Sequence, residues 1–338
     1  MTSYFNKMML PLAFLGVALA APAPPDGKNK IADPSAKAAP GTLWTDPSDI
    51  QTRNLIYGPG GKEHQPKGTT FTFVDEDLDG SNPKFNVKDQ DGVKWKIKLG
   101  AEARPETAAT RLVWAAGYSV NEDYFLTDLH VSGLPAHLHR GQKLVGPDGE
   151  MKNARLKRHL KGEEKIANWA WRDDPFSQTR EWNGLRVMMA LINNWDLKDE
   201  NNAVYEEGGQ RLYMVSDLGA SFGTTGFNPR QQISKGNLKG YTHSHFITKR
   251  TSDYVDFGVP SRPAVMVFFN PAESFSRMKL RWIGKRVPRS DARWMGQILA
   301  KLSPSQIRDA FLAAGYSQEE TEGFAKVVEK RIAELTAL

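Results

Sequence analysis

The chain has 338 residues, of which 40% are hydrophobic and 25% charged, with a formal net charge of +6 and no cysteine. This composition provides a core for one two-lobed domain or two small domains, and it excludes disulfides, a cysteine nucleophile and a lipoprotein anchor. The mild positive charge favours anionic partners. No run of lysine and arginine is interleaved with aromatic residues, so we expect no nucleic-acid partner.

The first 20 residues predict a secretory signal peptide. Lys7 supplies positive charge, Met8–Leu19 is an apolar run, and Ala18-Leu19-Ala20 forms a small-residue cleavage motif. Because the run is too short for a comfortable transmembrane helix, we expect cleavage before Ala21 and no stable transmembrane segment afterwards. The predicted location is the periplasm, the cell envelope or the extracellular space, with an uncleaved anchor as the alternative.

Residues 21–68 predict a tether followed by an extended strap. Ala21–Thr42 is rich in proline, alanine and lysine, a composition typical of disorder. Leu43–Gly68 places Trp44 and Tyr57 among glycines and prolines. We expect these aromatic side chains to anchor the strap on the surface of the domain that follows.

Three antiparallel strands are predicted next. Thr69–Val74, Lys84–Lys88 and Val93–Leu99 alternate between apolar and polar residues. Asp89-Gln90-Asp91-Gly92 separates the last two and is typical of a hairpin turn.

A helix and further strands complete a predicted β-rich lobe over residues 69–172. The helix has Pro105 in its first turn and stops at Gly117. Ser119–Leu134 returns to strand character, and a hairpin is predicted within His139–His159. The basic stretch Lys152–Lys165 is predicted to be a solvated face.

Residues 173–338 predict a helical lobe. Helical periodicity begins after Thr179, and the two sequences starting at Ser303 and Ser317 fit capping boxes. The segment from Gly219 to about Pro260 is predicted to be rich in loops. The order of elements therefore indicates an α+β fold in which a β-rich lobe precedes a helical lobe. The first helix of the helical lobe, after Thr179, has an apolar stripe formed by Trp182, Leu185, Met188, Met189 and Ile192.

Two short motifs in the helical lobe carry the chemistry. Asp196 is followed five positions later by Asn201, and Asp217-Leu218-Gly219 comes after a Gly-Gly hairpin. Together with the order of elements, they resemble the protein-kinase-like superfamily, closest to its HipA-type, phosphatidylinositol-kinase and secretory-pathway members. The resemblance covers Thr69 to the C-terminus. It implies a two-lobed kinase-like fold that binds Mg²⁺ or Mn²⁺ and ATP or another nucleotide.

The resemblance implies a role for each motif residue. Asp196 corresponds to the catalytic base that accepts the proton of the acceptor hydroxyl, and Lys198 to a lysine that touches the γ-phosphate. Asn201 and Asp217 correspond to the residues that hold the metal ions, with Asn202 as the alternative to Asn201 by a shift of one position.

In the β-rich lobe, Lys98 corresponds to the strand lysine that binds the α- and β-phosphates, with Lys96 as its rival on the same strand face. Glu106 corresponds to the helix acid that pairs with this lysine, and Glu102 is its alternative. The competing interpretations are a solvated lysine face and a carboxylate that stabilises the helix dipole.

The sequence also departs from the kinase pattern. Asn194 and Trp195 stand where His-Arg is usual, and no Ala-Pro-Glu follows Gly219. The first two strands are joined by Leu78–Pro83 instead of a Gly-x-Gly-x-x-Gly loop. The acidic run Asp75–Asp77 precedes this connection and would repel phosphate if it faced the site.

Other chemistries have weaker support. The pairs His137/His139 and His243/His245 have the spacing for zinc on a strand, but no third ligand is placed by the sequence. We therefore predict an exported Mg-dependent phosphotransferase with an unknown acceptor. The alternatives are an inactive pseudokinase that acts as a binding module and a structural envelope protein.

Overall fold

The structure, a computed structural model, describes residues 41–80, 82–194, 196–223, 235–258 and 278–338. The predicted signal peptide and nearly all of the tether lie outside these residues. None of the described helices has both the length and the apolarity needed to cross a bilayer.

The described strands are β1 Gly41–Thr42, β2 Thr70–Glu76, β3 Lys84–Lys88, β4 Lys94–Lys98, β5 Asp123–Ser132, β6 Glu150–Arg158, β7 Glu164–Ala167, β8 Asn202–Glu207, β9 Gln210–Val215, β10 Ile247–Arg250, β11 Tyr254–Phe257 and β12 Val287–Pro288. The described α-helices are α1 Ala103–Ala115, α2 Arg180–Leu191, α3 Leu238–His243, α4 Arg289–Leu299, α5 Pro304–Leu312 and α6 Gln318–Thr336.

The β-rich lobe is a closed barrel with the strand order β2-β3-β4-β6-β5. The predicted antiparallel pairing of β2, β3 and β4 is confirmed, and β2 closes the barrel by pairing in parallel with β5. Side chains alternate along each strand, so the inward positions are apolar and the intervening positions face outward. The barrel interior contains Phe71, Phe85, Trp95, Ile97 and Leu156.

The helix α1 follows β4 and packs against β5, β6 and α5. It begins at Ala103, two residues before Pro105, and Glu102 is its N-cap residue. At its end Gly117 has φ +98°, and a Cβ there would lie 2.3 Å from the carbonyl oxygen of Thr45. The segment after residue 41 is held at this point, because the indole of Trp44 donates to the carbonyl of Ala116 at 2.8 Å.

The second sheet has the order β1-β9-β8-β7 and joins the two lobes. Gly208 and Gly209, both at positive φ, form the tight turn between β8 and β9. Asn202 is the register partner of Val215 in this hairpin. The hairpin therefore brings the residue before β8 next to the residue after β9, which places the two kinase-like motifs side by side.

The helical lobe is built on α2, which begins after the Thr179 N-cap and buries its apolar stripe in the main core. Both predicted capping boxes are confirmed, at Ser303 and at Ser317. The prediction of loops after Gly219 is wrong for the described part of that segment. It contains α3 and the antiparallel pair β10–β11, because alternating apolar residues such as Val255 and Phe257 are buried against the lobe.

Candidate active site

Lys98 points out of the barrel, and the start of α1 crosses this side of β4. The lysine therefore forms a buried ion pair with acidic residues of α1. Lys98 ends β4, and its neighbour Ile97 faces the barrel interior. Its ammonium lies 2.7 Å from the Glu106 carboxylate and 3.2 Å from that of Glu102, and the lysine side chain is only 4% exposed. The two sequence alternatives for the acid thus both contact one lysine. Lys96 instead lies 2.7 Å from Asp77.

Asp217 completes this cluster from the other lobe. Its carboxylate lies 3.2 Å from the Lys98 ammonium, although the two residues are 119 positions apart in the chain. The Asp217 side chain is 41% exposed, whereas that of Glu106 is 1% exposed. Asp217 is therefore the carboxylate that a ligand in the cleft can reach, and Glu106 serves to hold Lys98.

Arg155 extends the cluster and was missed by the sequence analysis. Its guanidinium lies 3.0 Å from Glu106 and 3.5 Å from Asp123, and all three side chains are buried. The prediction that Lys152–Lys165 is a solvated face is wrong here, because α1 covers the outward side of β6. The sequence did contain an indication of this role. The apolar residues on either side of Arg155 face the barrel interior, so alternation along the strand places Arg155 on the outward face, as it does Lys98.

Charge pairing sets the protonation of the cluster. Burial lowers the pKa of Lys98, but attraction to Glu106 and Asp217 outweighs it and raises the pKa well above its usual value. Burial raises the pKa of Asp217, yet its charge attraction and hydrogen bond to Lys98 bring the net pKa below its usual value. Burial is the largest effect on Glu106 and raises its pKa despite the attraction of Arg155 and Lys98. Lys98 and Asp217 are thus held as ammonium and carboxylate.

Asn201 ties the two motifs together. Its side-chain amide donates to the carbonyl of Asp196 at 2.8 Å, and its backbone N–H donates to the carbonyl of Lys198 at 3.0 Å. Its own carbonyl accepts from the backbone N–H of Ser216 at 2.8 Å. Ser216 directly precedes Asp217, so Asn201 positions the loop that carries Asp196 against the residue that contacts Lys98.

The remaining candidates take different places. Asp196 and Lys198 are half-buried on the loop between α2 and β8, and the backbone N–H of Asp196 donates to Asn194 at 2.9 Å. Trp195 lies outside the described residues. Asn202 is buried and donates to the carbonyl of Trp169 at 3.0 Å, so Asn201 and not Asn202 lies beside the site.

The glycine of Asp217-Leu218-Gly219 is required by close packing. A Cβ at Gly219 would lie 2.7 Å from the Cβ of Glu102. Glu102 has little room to move, because it is paired with Lys98 and with Lys235. The absence of a side chain at Gly219 therefore lets the start of α1 approach Asp217.

The carboxylates around the Lys98 ammonium include oxygen ligands of the kind that a divalent cation prefers, and Asp217 is the exposed one. Oxygens of Glu102, Glu106 and Asp217 lie within 4.8 Å of one another. The side chain of Asn201 uses its amide nitrogen for the contact to Asp196, so its amide oxygen is the atom that could serve as a ligand. Among the described side chains, the ion pairs of the cluster join four carboxylates to three cations, and a fourth cation, the buried Arg111, contacts Asp123. The carboxylates are those of Glu102, Glu106, Asp123 and Asp217, and the cations are Lys98, Arg155 and Lys235.

The acidic run before the β2–β3 connection does not leave its charges unpaired. Asp75 accepts from Asn86, and Glu76 accepts from the backbone N–H of His139 at 3.0 Å. Asp77 contacts the ammonium groups of Lys96 and Lys84 at 2.7 and 3.4 Å. Within the run, Asp77 is therefore the carboxylate that pairs with lysines of the barrel surface.

The histidine pairs are not brought together as metal sites in the described structure. His243 ends α3 and lies outside any strand, so the strand spacing assumed for His243/His245 does not apply. His139 faces Glu76. Among the described residues, the one group of three clustered metal-ligating side chains is Glu102, Glu106 and Asp217.

The order of elements and these contacts define a protein-kinase-like fold. A strand lysine, an acid on the next helix and an aspartate after a later hairpin meet between a β-rich and a helical lobe. No protein-family model matches the chain, and comparison with curated proteins gives no match.

Two solved structures are similar to the chain. A proinflammatory kinase of Helicobacter pylori, CtkA, is 11% identical with a TM-score of 0.42, over 79% of this chain and 96% of that chain. The Golgi casein kinase is 9% identical with a TM-score of 0.34, over 85% of this chain and 78% of that chain. Both likenesses are distant, since neither identity exceeds 11% and both TM-scores lie below 0.5.

Proposed function

We propose that the protein is a metal-dependent phosphotransferase of the kinase type, which moves a phosphoryl group from a nucleotide or related donor to an acceptor hydroxyl. The observation that carries the proposal is the meeting of Lys98, Glu106 and Asp217 within hydrogen-bond distance across the cleft. Phosphoryl transfer requires fixed charges more than covalent help from the protein, and this cluster supplies them.

Each residue of the cluster has a physical task. Glu106 holds the ammonium of Lys98, which then meets donor phosphate oxygens. Asp217 and Asn201 would hold Mg²⁺ or Mn²⁺, which when bound neutralises phosphate charge. Asp196, on the loop fixed by Asn201, accepts the proton of the attacking hydroxyl.

Nucleotide binding and phosphoryl transfer test the proposal separately. Wild-type protein is heated with ATP or GTP, with and without Mg²⁺ or Mn²⁺, and transfer to generic acceptors is followed in parallel. A ligand at a hundred times its dissociation constant stabilises the fold by about 2.7 kcal/mol, which is several degrees in melting temperature.

Three matched Asp→Asn variants assign the roles. Asp217→Asn should abolish the metal-dependent shift and the transfer, because it removes the metal ligand. Asp196→Asn should keep the shift and lose the transfer, because the base acts on the acceptor. Asp148→Asn, at an exposed turn position of the barrel, is the control and should change neither. Binding with no transfer would favour the pseudokinase, and no binding by any donor would favour the structural protein.

We further propose that the protein is exported. The proposal rests on the apolar run and the Ala18-Leu19-Ala20 motif. Protein purified from an envelope or extracellular fraction should begin at Ala21 or within a few residues of it. Full-length chain confined to the cytoplasm would contradict export without affecting the proposal for the site.

A further inference from the structure

The barrel surface that carries Lys98 is basic along its length. Where β3, β4 and β6 pair, the inward positions are apolar and the positions between them face out of the barrel. Seven of these eight outward residues are lysine or arginine, and none is apolar. The eight are Lys84, Asn86, Lys88, Lys94, Lys96, Lys98, Arg155 and Lys157.

The register brings these cations together beside the site. Lys84 lies opposite Lys98, and Lys96 lies opposite Lys157. Lys96 is two residues along β4 from Lys98, a distance of roughly 7 Å at the rise of a strand. The Lys157 ammonium donates to the hydroxyl of Tyr205 on β8 at 2.8 Å. The basic surface therefore faces the sheet of the other lobe and continues the cleft that begins at Lys98 and Asp217.

Few described counter-charges face these lysines. Lys84 and Lys96 share one carboxylate, that of Asp77. The hydrogen-bond partner of Lys157 is a neutral hydroxyl, and its nearest counter-charges are the carboxylates of Glu163 and Asp123. Burial lowers the pKa of Lys84, Lys157 and Lys165. The charges of neighbouring lysines lower the pKa of Lys84 and Lys165 further, whereas the attraction of Glu163 and Asp123 partly offsets the effect of burial on Lys157. Like charges held together away from water cost free energy, which a bound anion would recover.

This surface does not suit a nucleobase. Small-molecule sites hold flat rings between apolar or aromatic side chains, with a few polar groups at the edges. Tyr205, Ala203 and Met214 form an apolar floor on β8 and β9, but the opposite wall is made of ammonium groups. Phosphate oxygens repeated along a chain match such a wall, because each can accept from a lysine.

We propose that Lys84, Lys96 and Lys157, here termed the lysine surface, bind a linear phosphate chain that leads to Lys98 and Asp217. This inference rests on the proposed phosphotransferase function and names its donor by chemical class. The chain could be free inorganic polyphosphate or the phosphate tail of a nucleotide whose base stays outside the lysine surface.

The transfer step is balanced without a further reactant. The bond between the terminal phosphorus and its bridging oxygen breaks, and a bond from that phosphorus to the acceptor oxygen forms. The acceptor proton passes to Asp196. The donor leaves one phosphate shorter with the electron pair on its new terminal oxygen, so no oxidant or reductant takes part.

Binding of inorganic tripolyphosphate to the full chain, without metal and at low salt, tests the lysine surface directly. Lys96→Met combined with Lys157→Met should weaken binding by at least about tenfold, since hydrogen bonds to charged groups contribute more than neutral ones. Lys326→Met combined with Lys330→Met removes the same charge from exposed positions of α6 and should leave affinity unchanged. Lys157→Arg should keep most of the affinity that Lys157→Met alone loses.

Equal weakening by the two double variants, or no binding of tripolyphosphate to wild type, would overturn the inference. Urea unfolding of each variant checks that its fold is intact. Tight binding of adenosine that is lost in Lys96→Met with Lys157→Met would also overturn it, because the base would then occupy the lysine surface.

Transfer assays separate the two sources and the two proposals. Transfer from polyphosphate supports the free chain, and transfer from ATP alone that depends on Lys96 and Lys157 supports the nucleotide tail. Transfer from ATP at the same rate with and without Lys96 and Lys157 would refute the proposal for the lysine surface but would still support the phosphotransferase function. Tripolyphosphate binding that depends on Lys157, with no transfer from any donor, leaves the lysine surface standing and refutes the phosphotransferase. Asp217→Asn should abolish transfer but keep metal-free tripolyphosphate binding.

Discussion

Replacing Glu106 by glutamine removes the central charge of the cluster with almost no change of shape. One Glu106 oxygen lies 2.7 Å from the Lys98 ammonium, and the other accepts from the Arg155 guanidinium at 3.0 Å. In glutamine one of these oxygens becomes an NH₂ group, which must point its hydrogens at a cation. The substitution therefore leaves a buried positive charge without its main partner.

The expected cost follows from the contacts that remain. Breaking a buried ion pair by removing one partner costs about 3–5 kcal/mol. Lys98 keeps Glu102 and Asp217, both at 3.2 Å, and Arg155 keeps Asp123 at 3.5 Å. We therefore expect the lower end of the range, about 3 kcal/mol.

Urea unfolding at neutral pH measures the loss in free energy of unfolding. The slope of that free energy against urea concentration should not change if the substitution leaves the unfolded state unaffected. Glu322→Gln is the matched control, because it removes an exposed carboxylate paired with Arg308 and should leave the midpoint in place. Glu106→Gln should also slow phosphoryl transfer, since Lys98 loses the group that holds it. A loss of stability below about 1 kcal/mol, similar to the scatter of surface substitutions, would refute the central role of Glu106.

Further predictions concern packing, the loop and pH. Gly219→Ala should cost about 1–3 kcal/mol and reduce transfer, because its Cβ would lie 2.7 Å from Glu102, whereas Gly68→Ala, whose nearest neighbour is at 3.6 Å, should be tolerated in the same unfolding assay. Asn201→Ala should strongly lower the rate of transfer from a saturating donor and change the melting temperature only slightly, because it releases the loop that carries Asp196. Equal turnover rates for variant and wild type would contradict this prediction. The folded pKa of Asp217 lies below its ordinary 3.8, so its stabilising contribution is complete above that pH and is lost as pH falls through the folded pKa. Asp217→Asn should therefore flatten the loss of stability in acid, and parallel acid limbs for variant and wild type would show that Asp217 is not stabilised by Lys98.

The sequence by itself determined the features that depend on neighbours along the chain. Alternation located the strands around Lys98, and the two capping boxes marked the starts of the last two helices. The motif pair was also local, because the β8–β9 hairpin needs only its Gly-Gly turn to bring Asn201 beside Ser216 and Asp217. Such patterns follow from the periods of strand and helix and from turn chemistry.

Only the tertiary structure decided which side chains of a given face become buried. Alternation places Lys96 and Lys98 on the same side of β4. The helix α1 crosses that side near Lys98, which is buried against Glu106, whereas Lys96 pairs with Asp77. Arg155 is buried because the same helix covers β6, although the stretch from Lys152 to Arg158 is rich in basic residues. The period of a strand assigns a side chain to a face, whereas the ion pairs at that face depend on what a distant segment packs against it.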